Sequence, residues 1–284
     1  MSMAYSDARV AEVWDRLASV TDPELDESVT ELRFVTAVEV DAESRVHIGF
    51  RLPTYWCSPN FAFLMADDMR AAAGSLPWVR QVLIDLHDHM YSDTINQGLA
   101  EGRSFKATFA EEAAEEDLDD LRRTFRIKAY QRRQEAVIRH LMDDQGWTVP
   151  AILALDRSHL ATLAIDDPET ARQRTRYLEI RAEYGGPTAA AFTTAEGGAI
   201  NSETFGDYLS LLRRVRINTE FNGSLCRGLL QARYGDAAPD GEPTLADFIA
   251  GRVETRNSGG HDSCRKLCST APKPARPLAG GSPS

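Results

Sequence analysis

The chain has 284 residues, of which 43% are hydrophobic and 26% charged, values typical of a folded globular protein. Its formal net charge of −11 argues against binding to nucleic acid or to an anionic membrane surface, because both require a basic footprint. No apolar run reaches the roughly 18 residues that a membrane span needs, and the first residues lack the apolar core of a signal peptide, so we expect a cytoplasmic protein.

The first hundred residues predict a small domain with an αββαβ order of elements. Apolar side chains recur at helical spacing in two segments and at even spacing in three others. The predicted elements are a helix over 8–20, strands over 29–40 and 46–50, a helix over 60–73 and a strand over 79–86. The last strand–helix–strand unit should form a parallel crossover.

The remainder of the chain predicts a helical region and a tail. An acidic stretch over 111–120 separates it from the first domain, and a helix start at Asp167-Pro168-Glu169 suits proline in the first turn. From residue 236 onward, proline, glycine and serine accumulate, which favours disorder. We therefore expect an α+β protein with the following parts: a small mixed-sheet domain over 7–108, an acidic linker over 109–120, a mainly helical domain over 121–235 and a flexible tail over 236–284.

Cys57 lies just before the second predicted helix. Backbone N–H groups at a helix N-terminus stabilise an anion, and a thiolate is both a nucleophile and a metal ligand. The neighbouring Tyr55 and Trp56 could shield such a thiol from water. The alternative is that Cys57 is simply a small buried hydrophobic residue.

The predicted topology brings several polar residues to one edge of the sheet. The end of the second strand, the end of the third and the start of the first should meet there, which places Cys57 near His87, His89, Asp22 and Glu24. The two histidines could bind a metal, although loop histidines are more often ordinary polar groups. The Asp22-Pro23-Glu24 turn could equally be a structural helix stop.

The other three cysteines do not suggest a disulfide framework. Cys226 stands alone, while Cys264 and Cys268, with His261 nearby, resemble half of a zinc site in the Gly/Ser/Pro-rich tail. A structural zinc site needs four ligands on an ordered frame, and no second pair of thiols is present there.

Four segments of the first domain, in their order and spacing, resemble a known family. They are Asp22-Pro23-Glu24-Leu25, Glu31-Leu32-Arg33-Phe34-Val35, Thr54-x-x-Cys57-x-Pro59 and Leu76-Pro77-Trp78-Val79. Together they resemble the metal-sulfur cluster assembly domain of the SufT and PaaD type, over about residues 7–108. Two departures stand out: Arg33 replaces the family's usual glycine, and Trp56 precedes the cysteine.

The resemblance implies an αββαβ fold and a role in iron-sulfur cluster assembly or delivery. The family's characteristic cysteine maps onto Cys57 and its Asp-Pro motif onto Asp22 and Pro23. We therefore expect a transient iron-sulfur cluster or iron as the only bound group. The residues expected to contact it are Asp22, Glu24, Thr54 and Cys57, with Cys57, His87 and His89 as candidate metal ligands.

The sequence leaves three functions open. The first is an assembly or maturation factor, rather than an enzyme, whose partner is a client metalloprotein or another assembly protein. Extended relatives suggest a multicomponent oxygenase as the client, and a homodimer would supply two Cys57 thiols. The second is an enzyme that uses Cys57 as a nucleophile with His87 or His89 as the base. The third is a non-catalytic interaction adaptor.

Overall fold

The computed structural model describes the backbone of residues 2–109 and 118–235, with side chains from residue 8 onward. Most of the predicted acidic linker and the whole predicted tail, including Cys264 and Cys268, lie outside the described residues. All of the described residues belong to one compact unit. None of the helices within those two ranges is long and apolar enough to cross a bilayer.

The first part of the chain has the predicted αββαβ order. Its elements are α1 (Ser2–Leu17), β1 (Val35–Val40), β2 (Arg45–Phe50), α2 (Pro59–Gly74) and β3 (Gln81–Leu86). The sheet has the order β1-β2-β3, with β2 antiparallel to β1 and parallel to β3. The prediction of a small mixed sheet with a parallel crossover is therefore confirmed.

The central strand carries the core of this domain. Val46, Ile48 and Phe50 alternate with Arg45, His47 and Gly49 along β2, and all three are fully buried. They pack in one hydrophobic cluster with residues of α1 and α2, among them Leu17 and Met69. Burial of each such side chain is worth about 1.5–3 kcal/mol, so this cluster is the main support of the domain.

The predicted first strand is too long, because residues 29–34 form turns instead. The backbone N–H of Leu32 donates to the carbonyl of Ser28, and Arg33 has a φ of 57°. Val29 and Phe34 are nevertheless buried, so their apolar spacing reflects packing and not pairing. The left-handed conformation of Arg33 is one that favours glycine, the residue that the family resemblance leads one to expect at this position.

Two short helices follow β3, where the sequence predicted only a polar segment. They are α3 (Ser92–Ala100) and α4 (Phe105–Thr108). α3 buries only Ile95 and Leu99 as large apolar residues, which is too weak a pattern to predict a helix. Its Asn96 side chain holds the end of β3, accepting from the Leu86 N–H at 2.9 Å and donating to the Leu86 carbonyl at 3.0 Å.

The second half of the chain is mainly helical, as predicted. Its elements are α5 (Leu118–Arg139), a π-helical turn (His140–Asp144), α6 (Val149–Leu153), α7 (Arg157–Thr162), α8 (Pro168–Glu183) and α9 (Phe205–Tyr234). Asp167 caps α8 by accepting from the Thr170 N–H at 2.7 Å. The long helix α9 runs without a break until Gly235, which takes the left-handed conformation (φ 66°) common after a helix end.

The helical region forms hydrogen bonds to the loop that follows α1 in the α/β domain. Asp26 is 5% exposed, and its carboxylate accepts from Arg133 of α5 at 2.5 and 2.8 Å and from Arg176 of α8 at 3.0 Å. Arg132 of α5 donates to the carbonyl of Leu25 at 2.7 Å. The loop that follows α1 is therefore held at its buried Asp26 by arginines from two helices of the second half.

Candidate functional site

The loop between β2 and α2 presents Cys57 as predicted, just ahead of a helix. Ser58 is the N-cap residue and α2 begins at Pro59. The thiol is half-buried, and its sulfur accepts a hydrogen bond from the Thr54 hydroxyl at 3.2 Å. An O–H donor aimed at sulfur stabilises negative charge there, so the Thr54-x-x-Cys57 spacing has a direct physical meaning.

His89 contacts Cys57 through the backbone and not through the thiol. Its Nδ1 accepts from the Tyr91 N–H at 3.2 Å, so Nε2 carries the proton and donates to the Cys57 carbonyl at 2.8 Å. The ring is 3% exposed, and burial lowers the pKa of His89. Because both ring nitrogens hold backbone groups, His89 positions the cysteine loop and is not placed to act as a base toward sulfur.

His87 follows the last residue of β3. Its backbone N–H donates to the Phe50 carbonyl at 3.1 Å, which continues the pairing of β2 with β3. Its half-buried ring makes no hydrogen bond to Cys57 in the described structure. Across residues 8–109 and 118–235, no three histidine, cysteine or acidic side chains converge as a metal site. Geometry therefore gives no support to a ligand set made of Cys57, His87 and His89.

Asp22 is built into the turn that follows α1. Its Oδ1 accepts from the N–H groups of Glu24 at 2.9 Å and Leu25 at 2.8 Å, and its carbonyl accepts from the Asp26 N–H at 2.9 Å. The side chain is 8% exposed, and burial raises the pKa of Asp22 to about 6. These bonds give Asp22 a structural role at the predicted edge.

Glu24 joins the same turn to the helical region. Its Oε1 accepts from the Asn222 side chain of α9 at 3.0 Å. A second contact three residues further along the loop repeats the connection, since Arg227 of α9 donates to Glu27 at 2.7 Å. Helix α9 therefore reaches the edge of the sheet where the sequence predicted the functional residues.

Cys226 of α9 is the residue at this edge that the sequence did not reveal. It packs against the same hydrophobic cluster as Cys57 and is also half-buried. Its pKa is raised to about 12, first by burial and then by the negative charges of Asp22, Cys57 and Glu24. A second thiol therefore lies in the electrostatic neighbourhood of the predicted one. The sequence carries no sign of this, because it does not tell where α9 docks.

The surface beside Cys57 is apolar and open to solvent. Trp56 is 72% exposed and Tyr55 51% exposed, so a large part of both aromatic side chains faces solvent. Met90, 48% exposed, is tied to them because its N–H donates to the Tyr55 carbonyl at 2.9 Å. Large exposed apolar side chains that adjoin one another are typical of surfaces that bind other proteins.

Comparison with known proteins agrees with this geometry. Residues 10–84 match the model of a family described as "Iron-sulfur cluster assembly protein". The match includes Asp22, Glu24, Thr54 and Cys57. This part of the chain is therefore an iron-sulfur assembly-type domain, which confirms the resemblance seen in the sequence and supports a general role in iron-sulfur cluster assembly.

No curated protein matches the chain. A crystal structure of a domain of unknown function, DUF59, from Bacillus anthracis is 19% identical over 38% of this chain and 94% of that one, with a TM-score of 0.28.

Proposed function

We propose that this protein is an assembly or maturation factor that takes iron or an iron-sulfur cluster at Cys57 and passes it to a client metalloprotein. The supporting observation is the thiol itself: it stands in the matched domain, ahead of a helix, with the Thr54 hydroxyl donating to its sulfur. Cysteine thiolates are the usual ligands of iron-sulfur clusters.

The number of ligands favours transfer over storage. A cluster is usually held by four cysteines, whereas the cysteine loop offers one thiol and the described residues contain no preformed metal site. The missing ligands must then come from another group or another protein. A client's own cysteines would complete the set and draw the cluster away.

The exposed side chains beside Cys57 are the proposed docking surface for that client. Tyr55, Trp56 and Met90 would bury apolar area when a partner covers the thiol, and aromatic residues are enriched at such contacts. The resemblance to extended relatives favours a multicomponent oxygenase as the client. The helical second half would then help to choose the partner.

The test is anaerobic reconstitution of the full chain with iron and sulfide. We expect the wild-type chain to develop the visible absorption of an iron-sulfur cluster, and Cys57→Ala to lose it. The double variant Cys264→Ser, Cys268→Ser controls for cluster uptake by the tail and should match the wild type. Equal cluster uptake by wild type and Cys57→Ala would contradict the proposal.

A further inference from the structure

One face of α9 lies along the edge of the α/β domain that carries Cys57. Asn222, Cys226 and Leu230 follow one another at four-residue spacing, which places them on the same side of the helix. Asn222 binds Glu24 at 3.0 Å, and Leu230, 5% exposed, belongs to the core cluster of the α/β domain. Cys226 is one turn from each and is therefore fixed against that domain.

The end of α9 continues along the same edge. Arg233 donates to the carbonyl of Leu52 at 3.4 Å and to that of Asp88 at 2.8 Å. Leu52 begins the loop that leads to Cys57, and Asp88 immediately precedes His89, whose ring binds the Cys57 carbonyl. The contact before Cys226 on the helix thus reaches the turn that carries Asp22 and Glu24, and the contacts after it reach Leu52 and Asp88, which lead to Cys57 and to His89.

We propose that Cys57 and Cys226 form a dithiol pair, in which α9 supplies the second thiol ligand for the metal cargo that Cys57 receives. The identity of the cargo rests on the proposed function, whereas the pairing of the thiols does not. Each thiol gives its proton to solvent as its sulfur binds the metal. Two sulfur ligands leave two positions open on a tetrahedral metal, which an acceptor protein can occupy.

The charges around the pair favour a cation. Asp22 and Glu24 lie in the turn that Asn222, one helical turn before Cys226, contacts at 3.0 Å. One oxygen of each carboxylate is committed to hydrogen bonds, that of Asp22 to two backbone N–H groups and that of Glu24 to Asn222. The two residues therefore contribute negative potential at the pair, while the thiols contribute the ligand atoms.

The test is titration of the full chain with Cd²⁺, followed by the charge-transfer absorption of cadmium thiolates. The parent chain carries Cys264→Ser and Cys268→Ser, so that only Cys57 and Cys226 remain. We expect Cys57→Ala and Cys226→Ala each to weaken Cd²⁺ binding by at least about tenfold, because a chelate is reduced to a single ligand. Ser224→Ala, an exposed change on the same helix, should bind as the parent does.

A second readout needs no substitution at Cys226. Alkylation of the parent chain is followed by mass spectrometry, and we expect Cd²⁺ to protect both thiols over the same range of concentration. The pair is contradicted if Cys226→Ala binds Cd²⁺ as tightly as the parent, or if Cd²⁺ protects Cys57 and leaves Cys226 reactive.

These results are separable from the proposed function. If Cd²⁺ binds through both thiols but the chain takes up no iron-sulfur cluster, the dithiol pair is supported and the assembly role is contradicted. If cluster uptake depends on Cys57 while Cys226→Ala leaves the Cd²⁺ affinity unchanged, the assembly role is supported and the dithiol pair is contradicted.

Discussion

The helical region contacts the loop after α1 through α5 and α8 and, separately, through α9, and these two sets of contacts differ in chemistry. At Asp26 the contact is made by arginines from α5 and α8, on a carboxylate that is almost fully buried. At Glu24 it is made by α9, which also lays a thiol and an apolar side chain along the edge that carries Cys57.

The two sets of contacts therefore differ in role: the one at Asp26 stabilises the fold, whereas the one made by α9 lies at the predicted site. A buried charge surrounded by arginines is intolerant of change and stabilises the position of the loop, but it offers nothing to a cargo. The α9 contact is mixed in character, lies at the predicted site and brings a residue that could take part in it. The second half of the chain thus supports the assembly-type domain, and we propose that it also contributes to its site.

The largest effect is expected from breaking the Asp26 contact. Asp26→Asn keeps the shape of the side chain but leaves the partly buried Arg133 and Arg176 without their counter-charge. We expect a loss of about 3 kcal/mol in the free energy of unfolding, measured by urea denaturation. Glu31→Gln is the matched control, because Glu31 and its partner Arg172 are half-exposed and should cost less than about 1 kcal/mol. Equal effects would mean that Asp26 is not the anchor.

The second effect tests how firmly α9 is docked. Leu230 is 5% exposed within the α/β core, whereas its neighbour Leu229 is 38% exposed. Leu230→Ala should cost about 2–4 kcal/mol because it opens a cavity in the core. Leu229→Ala should cost well under half of that, and similar losses from the two variants in thermal unfolding would show that α9 does not pack as described.

The third effect is a pH dependence at Asp22. Because its pKa is about 6 in the folded chain against an ordinary value of 3.8, the folded state holds a proton that the unfolded state has lost between those values. Its contribution to stability therefore falls as pH rises through about 4 to 6, whereas Asp22→Asn cannot ionise. The variant should gain up to about 3 kcal/mol relative to wild type between pH 4 and pH 7 in urea denaturation.

Asp41, at the surface, is a control, because we expect its contribution to stability to change with pH in the opposite direction. The pKa of Asp41 lies below its ordinary value because the Arg45 backbone and side chain donate to it. Asp41→Asn should therefore lose stability relative to wild type as pH rises. If the difference in the free energy of unfolding between wild type and Asp22→Asn did not change with pH, burial would not raise the pKa of Asp22.

The smallest effect concerns the thiol itself. Thr54→Val removes the hydroxyl that donates to the Cys57 sulfur at 3.2 Å, so negative charge on sulfur loses one stabilising bond. Alkylation of Cys57 by iodoacetamide should slow by about threefold, the equivalent of one modest hydrogen bond. Thr54→Ser keeps the donor and should alkylate at the wild-type rate; slowing by the serine variant as well would assign the effect to packing.

Much of the fold could be predicted from local patterns. The alternation of Val46, Ile48 and Phe50 specifies a buried strand face, and Asp167-Pro168 specifies the start of α8. The predictions were wrong where apolar residues are buried outside a regular strand, or where a helix buries too few of them to produce a pattern. Val29 and Phe34 are buried in turns, and α3 is held by little more than Ile95 and Leu99.

The site was predicted only in part, for a related reason. The proximity of Cys57 to Thr54 and His89 follows from sequence spacing and strand topology, which a sequence encodes locally. The exposure of Trp56 and the position of Cys226 depend on which surfaces the helical region covers. That information lies in long-range contacts, such as the one between Asn222 and Glu24, which no local pattern specifies.

The central claim is that this chain hands an iron-sulfur cluster to another protein through Cys57. The most direct measurement is the rate at which apo-ferredoxin, used as an acceptor, gains its cluster under anaerobic conditions with limiting iron and sulfide. The account predicts that the full wild-type chain accelerates this reaction and that Cys57→Ser abolishes the acceleration. No acceleration by the wild type, or the same acceleration by Cys57→Ser, would contradict it.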